Sequence, residues 1–260
     1  MRLLNTTTFE LEEFFGANIP QYAILSHRHG NSEVSFQDVL NGKGLVKEGW
    51  RKILGCCAQA RKDGWNWVWI DTCCIDRSSS SELSEAINSM FRWYQRSQVC
   101  YAYLSDVPES ETDVYRIGSA FRGSKWFTRG WTLQELLAPK KVVFFNSSWI
   151  EIGTKRSLET LISAITRIEH LFGWETASVA QKMSWASRRE TLREEDMAYC
   201  LMGIFGVNMT LLYGEGEKAF LRLQTEITKI SDDESIFAWL HSKTPGTSIS
   251  APTSEEPPTQ

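Results

Sequence analysis

Residues 129–145 read RGWTLQELLAPKKVVFF. A short helix-forming stretch, stopped by Pro139, runs straight into the apolar VVFF, so the segment reads as a junction between a helix and a buried strand. Three more runs share the character of KVVFFN (141–146): YAILS (22–26), WVWID (67–71) and CYAYLS (100–105). All four are continuous rather than alternating, the pattern of strands covered on both faces. Helical patterns separate them. LVKEGWRKILGCCAQARKDG (45–64) places Trp50, Ile53, Leu54 and Cys57 at helical spacing and ends at Gly64; SSELSEAINSMFRWYQR (80–96) follows Ser79, which has capping-box spacing to Glu82. Alternating strand and helix implies βαβ units, hence an α/β fold with a mostly parallel sheet flanked by helices. The opening segment itself looks too polar for a core, and the spacing of Thr132 and Glu135 offers a capping box at its start.

Beyond residue 150 the texture changes. SLETLISAITRI (157–168), TLREEDMAYCLMGIF (191–205) and EKAFLRLQTEITKI (217–230) read as helices, with Thr191 and Glu194 as a further capping pair. The chain thus divides into a core over 1–150, a helical extension over 151–240 packed on it, and a tail over 241–260. That tail holds four of the seven prolines and no apolar period, which predicts a disordered linker toward a downstream domain.

Bulk properties exclude several classes. With 260 residues, 42% hydrophobic and 23% charged, the composition is that of a globular protein. A net charge of −4 disfavours nucleic acid, because phosphate binding needs a basic field. The N-terminus lacks a secretory signal, and the longest apolar tract, 198–214, contains Asn208 and Thr210, so no membrane span is expected. Cys56-Cys57 and Cys73-Cys74 are adjacent pairs, joined by Cys100 and Cys200; reduced thiols in a cytoplasmic protein suit that pattern best.

In parallel sheets, ligands bind beyond the carboxyl ends of the strands. Just past the expected strands stand Ser26, His27, Arg28 and His29, then Asp71, Thr72 and Asp76, then Ser105 and Asp106, and the junction adds Arg129, Trp131 and Glu135. Solvated strand ends are polar in any protein, so each of these residues alone has a commoner explanation than function. No G-x-G-x-x-G follows the first strand and no phosphate-binding P-loop motif occurs. His27 and His29 have no acidic or cysteine partner at metal-site spacing, so no metal is expected.

YAILSHRHG, WIDTCCIDRSSSSELSEAINSMFRWY, CYAYLSDV and RGWTLQELLAPKKVVFFN, in that order, resemble the motifs of the fungal heterokaryon-incompatibility (HET) domain. MSWASRRETLREEDMAYCLMGIFGVNMTLLYGEGEKAFLRLQTEI resembles the segment that often follows it, so the resemblance spans roughly residues 1–240. It implies a cytoplasmic cell-death effector of fungal incompatibility and innate immunity, often the N-terminal part of a larger receptor. HET domains in turn resemble TIR domains, which implies a TIR-like, flavodoxin-like sheet. RGWTLQEL is similar to the W-C-x-x-E-L helix of TIR enzymes. By that resemblance Glu135 is the catalytic carboxylate of an NAD glycohydrolase active when clustered into a homo-oligomer. NAD is then the substrate and no further cofactor is needed. Ser26, His27, Arg28, Asp71, Arg129 and Trp131 are the implied substrate-binding residues. His29 departs from the motif, which has Trp there. The alternative is a non-enzymatic module that triggers death by assembling with partners.

Overall fold

The computed structural model describes residues 1–236. A seven-stranded sheet forms its centre, built from β1 (Arg2–Asn5), β2 (Leu11–Glu13), β3 (Ala23–His27), β4 (Trp67–Trp69), β5 (Val99–Tyr103), β6 (Val142–Phe145) and β7 (Glu151–Thr154), in the spatial order β2-β1-β4-β3-β5-β6-β7. The four expected apolar runs are the parallel centre: β3 pairs with β4 and with β5, and β5 with β6. Every residue of β6 is buried, as a strand with both faces covered requires. Antiparallel strands β1 and β7 close the two sides, and β2 adds to β1.

Among the parallel strands the order in space is second, first, third, fourth. This is the start of the flavodoxin-like doubly wound order, which leaves a crevice between the first and third strands at their carboxyl ends. The first crossover, β3 to β4, and the second, β4 to β5, run in opposite directions across the sheet, so right-handed connections put their helices on opposite faces. Helix α2 (Trp50–Lys62), preceded by the single turn α1 (Phe36–Leu40), covers one face, where the Tyr101 hydroxyl donates to Asp63 at 2.7 Å. The short α3 (Asp71–Cys74) leaves β4, and α4 (Ser80–Arg96) covers the other face with α5 (Thr132–Leu137). Ser79 caps α4 by accepting the Glu82 N–H, but the Glu82 carboxylate turns away to Arg2 and the Asp76 N–H, so only half of the expected capping box forms.

All six residues of α5 are buried, contrary to the expectation that this polar stretch lies outside the core. Its polar groups are paired inside. The Thr132 hydroxyl donates to the carbonyls of Trp126 (2.5 Å) and Arg129 (2.9 Å), and Gln134 reaches the Met90 sulfur. Paired polar groups can be buried at little cost.

The later residues form α6 (Glu159–Thr166), α7 (Val179–Ala186), α8 (Asp196–Tyr199), α9 (Met202–Phe205) and α10 (Lys218–Ile230). The single helix expected over 191–205 is instead two one-turn helices, α8 and α9. Glu190 is tied by backbone hydrogen bonds to the 128–130 loop, and the Thr191 hydroxyl bonds the Arg193 carbonyl rather than starting a helix with Glu194. The sheet also continues past residue 150, since β7 pairs with β6 over Glu151–Thr154. The expected linker over 241–260 lies outside the described residues. Among the described residues no helix is long and apolar enough to cross a membrane.

Candidate functional site

The site lies at the carboxyl-end edge of the sheet, around the end of β3, with Asp71 arriving from just past β4 and Arg129, Trp131 and Glu135 from the crossover between β5 and β6. Successive strand residues point to opposite faces. Ser26 therefore turns toward α5, while His27 turns toward α2, whose Lys52 ammonium lies 3.1 Å from the His27 Nδ1. Both residues are buried.

Glu135 is 6% exposed, at the floor of a cavity of about 310 Å³. Its Oε2 accepts a short hydrogen bond from the Ser26 hydroxyl, and that hydroxyl accepts the Trp126 indole N–H at 2.9 Å. The indole occupies the acceptor side of Ser26, so the serine proton is directed at Glu135. Burial pushes the Glu135 carboxyl up to about 7; the Ser26 bond and the Arg129 guanidinium oppose the rise, and the charge of Asp71 adds to it. The helix cap suggested by its spacing from Thr132 does not form. Trp131 stands at the N-cap without a side-chain cap bond, and the Thr132 hydroxyl faces backbone carbonyls. Glu135 is thereby released to reach across to β3.

Asp71 collects the second cluster. Its Oδ1 meets His27 Nε2 at 3.0 Å, while its Oδ2 meets His29 Nε2 at 2.7 Å and the Arg77 guanidinium at 3.0 Å. Burial raises its carboxyl, but His29 and His27 outweigh that and hold it well below the usual range. Burial lowers His27 to about 4, with Asp71 opposing. His27 is thus neutral near pH 7; its Nδ1 accepts from Lys52 and its Nε2–H donates to Asp71. The Arg129 guanidinium approaches His29 Nδ1 at 3.5 Å.

Two imidazoles and a carboxylate with ligand atoms within 4.8 Å of one another form a set that can hold a metal. The acidic partner that the sequence spacing conceals is Asp71, folded in from β4. In this arrangement, however, both Nε2 atoms already face the carboxylate, and Lys52, Arg77 and Arg129 surround the group. Lys52 is paired with Glu33, and Arg77 and Arg129 crowd the Asp71 side, so a hydrogen-bonded cluster is the better fit.

Not every sequence candidate reaches the cavity. His27, Asp71, Arg129, Trp131 and Glu135 line it. Ser26 lies behind Glu135 and orients it rather than facing the cavity. Arg28 is exposed and outside the lining; only its carbonyl takes part, accepting from Lys52 at 3.4 Å. Asp106 fixes the preceding loop by accepting from the Ser124 hydroxyl at 2.7 Å and the Lys125 N–H at 2.8 Å.

The later half of the chain completes the wall with Leu192, Arg193, Asp196 and Tyr213. It is stitched to the start of α5. The Gly130 N–H donates to the Glu190 carbonyl at 2.8 Å, and the Glu190 N–H donates to the Thr128 carbonyl at 2.7 Å. The buried Arg189 guanidinium donates to the Arg129 carbonyl (2.9 Å) and the Thr132 hydroxyl (3.0 Å). A Cβ on Gly130 would stand 2.5 Å from the Thr191 methyl and 3.2 Å from the Cys200 sulfur, which explains glycine at that crossing. Trp126, Lys52 and Arg189 are absent from the sequence candidates because each acts through another side chain or a carbonyl, and no local spacing marks such a role.

Comparison with known proteins locates this arrangement. Residues 22–122 match the family described as Heterokaryon incompatibility protein (HET). Over 221 aligned residues the chain is 51% identical to Vegetative incompatibility protein HET-E-1 of Podospora anserina; the alignment takes in 81% of this chain and 16% of that protein. The chain therefore spans about a sixth of the length of the curated relative it matches. No solved structure matches it.

Proposed function

We infer that this chain, whose residues 22–122 carry a heterokaryon-incompatibility domain, is the effector part of a cell-death protein and cleaves NAD at the nicotinamide–ribose bond. The incompatibility role rests on the family match and the relative. The chemistry rests on one observation: a buried carboxylate, Glu135, at the floor of a cavity and fixed by a Trp126–Ser26 relay.

In the proposed reaction the C1′–N bond breaks and its electron pair goes to the nicotinamide ring, which leaves neutral. The ribose becomes oxocarbenium-like, water adds at C1′, and one proton is released with ADP-ribose. Nicotinamide is a good leaving group, so no strong general acid is required. The ionised Glu135 stabilises the developing positive charge, an effect greatest where water is excluded and the charge is prepositioned. Asp71, held ionised by His27, His29 and Arg77, adds to the negative potential at the same end. The carboxyl near 7 means that activity rises with pH through neutrality, as Glu135 ionises.

On this reading the protein has a TIR-like activity, works in the cytoplasm, is activated by clustering into a homo-oligomer, and is governed by a sensor in the part of the protein that a relative of this length would add. The test is nicotinamide release from NAD by protein fused to an inducible oligomerising tag; steady release supports the enzyme. A second reading, an assembly module without turnover, is favoured by Leu192, which stands 94% exposed at the cavity mouth. Assembly and killing without nicotinamide release would establish it and remove the enzyme reading.

A further inference from the structure

The cavity carries both signs of charge. Glu135, Asp71 and Asp196 line it as carboxylates, and Arg77, Arg129 and Arg193, the last from the later half of the chain, as guanidiniums. Neither Arg129 nor Arg193 has a carboxylate within ion-pair distance among the described residues, whereas Arg77 is paired with Asp71. Arg193 is also held in place. Its guanidinium lies over the Tyr213 ring at 4.5 Å; Tyr213 packs edge-on against Tyr199 at 5.5 Å and donates its hydroxyl to Asp196 at 3.0 Å. A guanidinium stacked on a fixed ring loses little freedom on binding and keeps its N–H edge for an anion.

We propose that Arg193, supported by Tyr213, is an anion-binding residue of this cavity and, with Arg129, holds the diphosphate of a dinucleotide, making the site selective for a diphosphate-bridged substrate over a free nucleoside. The inference rests on the NAD-cleavage reading and adds to it. Carboxylates suit a cationic ring, and guanidiniums suit a diphosphate; a nicotinamide dinucleotide carries both. A phosphate held by a guanidinium gains a charge-assisted, often bidentate hydrogen bond that a nucleoside lacks. The helical extension is then part of the substrate site.

The test compares NAD with nicotinamide riboside, which has the same scissile bond and no phosphate, using wild type and Arg193→Gln in the oligomerised protein. Arg193 is exposed, so the variant is expected to fold, and its melting curve checks that. Arg193→Gln should raise KM for NAD roughly tenfold or more, leave kcat near wild type, and leave kcat/KM for the riboside unchanged. Arg193→Lys should restore part of the loss. An unchanged KM for NAD, or equal losses on both substrates, would overturn the proposal. If wild type cleaves neither substrate, the NAD-cleavage reading has failed, and titration with ADP-ribose decides this one separately. Binding by wild type that weakens about tenfold in Arg193→Gln supports the anion site, and equal or absent binding overturns it.

Discussion

Replacing Glu135 with Gln removes one charge at almost constant volume, so its effect on stability follows from the burial of that charge. The carboxyl is pushed up to about 7 in the folded chain from an ordinary value of 4.5, chiefly by desolvation. Between these values the native state binds more protons than the unfolded state, so the contribution of Glu135 to stability falls as pH rises from about 4.5 to about 7 and stays low above that. The full difference is about 3 kcal/mol at pH 8. Gln carries no charge and can still accept from Ser26. The Gln variant should therefore be more stable than wild type at pH 8, with a Tm gain of several degrees and at most about 10 °C. The gain shrinks toward zero near pH 4.5. His27, lowered to about 4 by burial, destabilises the fold as pH falls below its ordinary value of 6.5, but it is common to both proteins and cancels in their difference. Thermal melts of the pair from pH 4.5 to pH 8 measure the gap directly. A variant less stable than wild type at pH 8, or a gap that ignores pH, would refute the claim that Glu135 is a desolvated carboxylate.

Gly130→Ala should drive its Cβ into the Thr191 methyl and separate the 190–191 segment from the start of α5, costing about 1–3 kcal/mol and impairing any activity of the cavity; an unchanged Tm and unchanged activity would show the crossing to be loose. His29→Trp restores the residue usual in the resembling motif but removes the bond to Asp71 and the approach of Arg129. NAD turnover should fall roughly tenfold while the protein stays folded, and wild-type turnover would reduce His29 to a packing substitution.

The central sheet was legible because buried parallel strands write continuous apolar runs: YAILS, WVWID, CYAYLS and KVVFFN became β3, β4, β5 and β6. The outer strands were not. RLLN is four residues long, and EIGT, on an edge, needs no apolar run. Polarity misled at 129–137, because burial there depends on partners distant in sequence: Ser26 for Glu135, Met90 for Gln134, and Arg189 for Thr132. The same feature hid the His27–Asp71–His29 cluster, whose carboxylate lies more than 40 residues from its two imidazoles, and the Arg193 wall. A capping box is read from local spacing alone, so it was proposed for Thr132 and Glu135 where tertiary hydrogen bonds prevail.

The initial rate of nicotinamide release from NAD, compared between wild type and Glu135→Gln in oligomerised protein at pH 8, bears most directly on the assignment of Glu135. At that pH the carboxylate is ionised and the variant is expected to be fully folded, so stability does not confound the rate. The account predicts measurable release by wild type and a loss of roughly a hundredfold or more in the variant. Equal release by both proteins would contradict it.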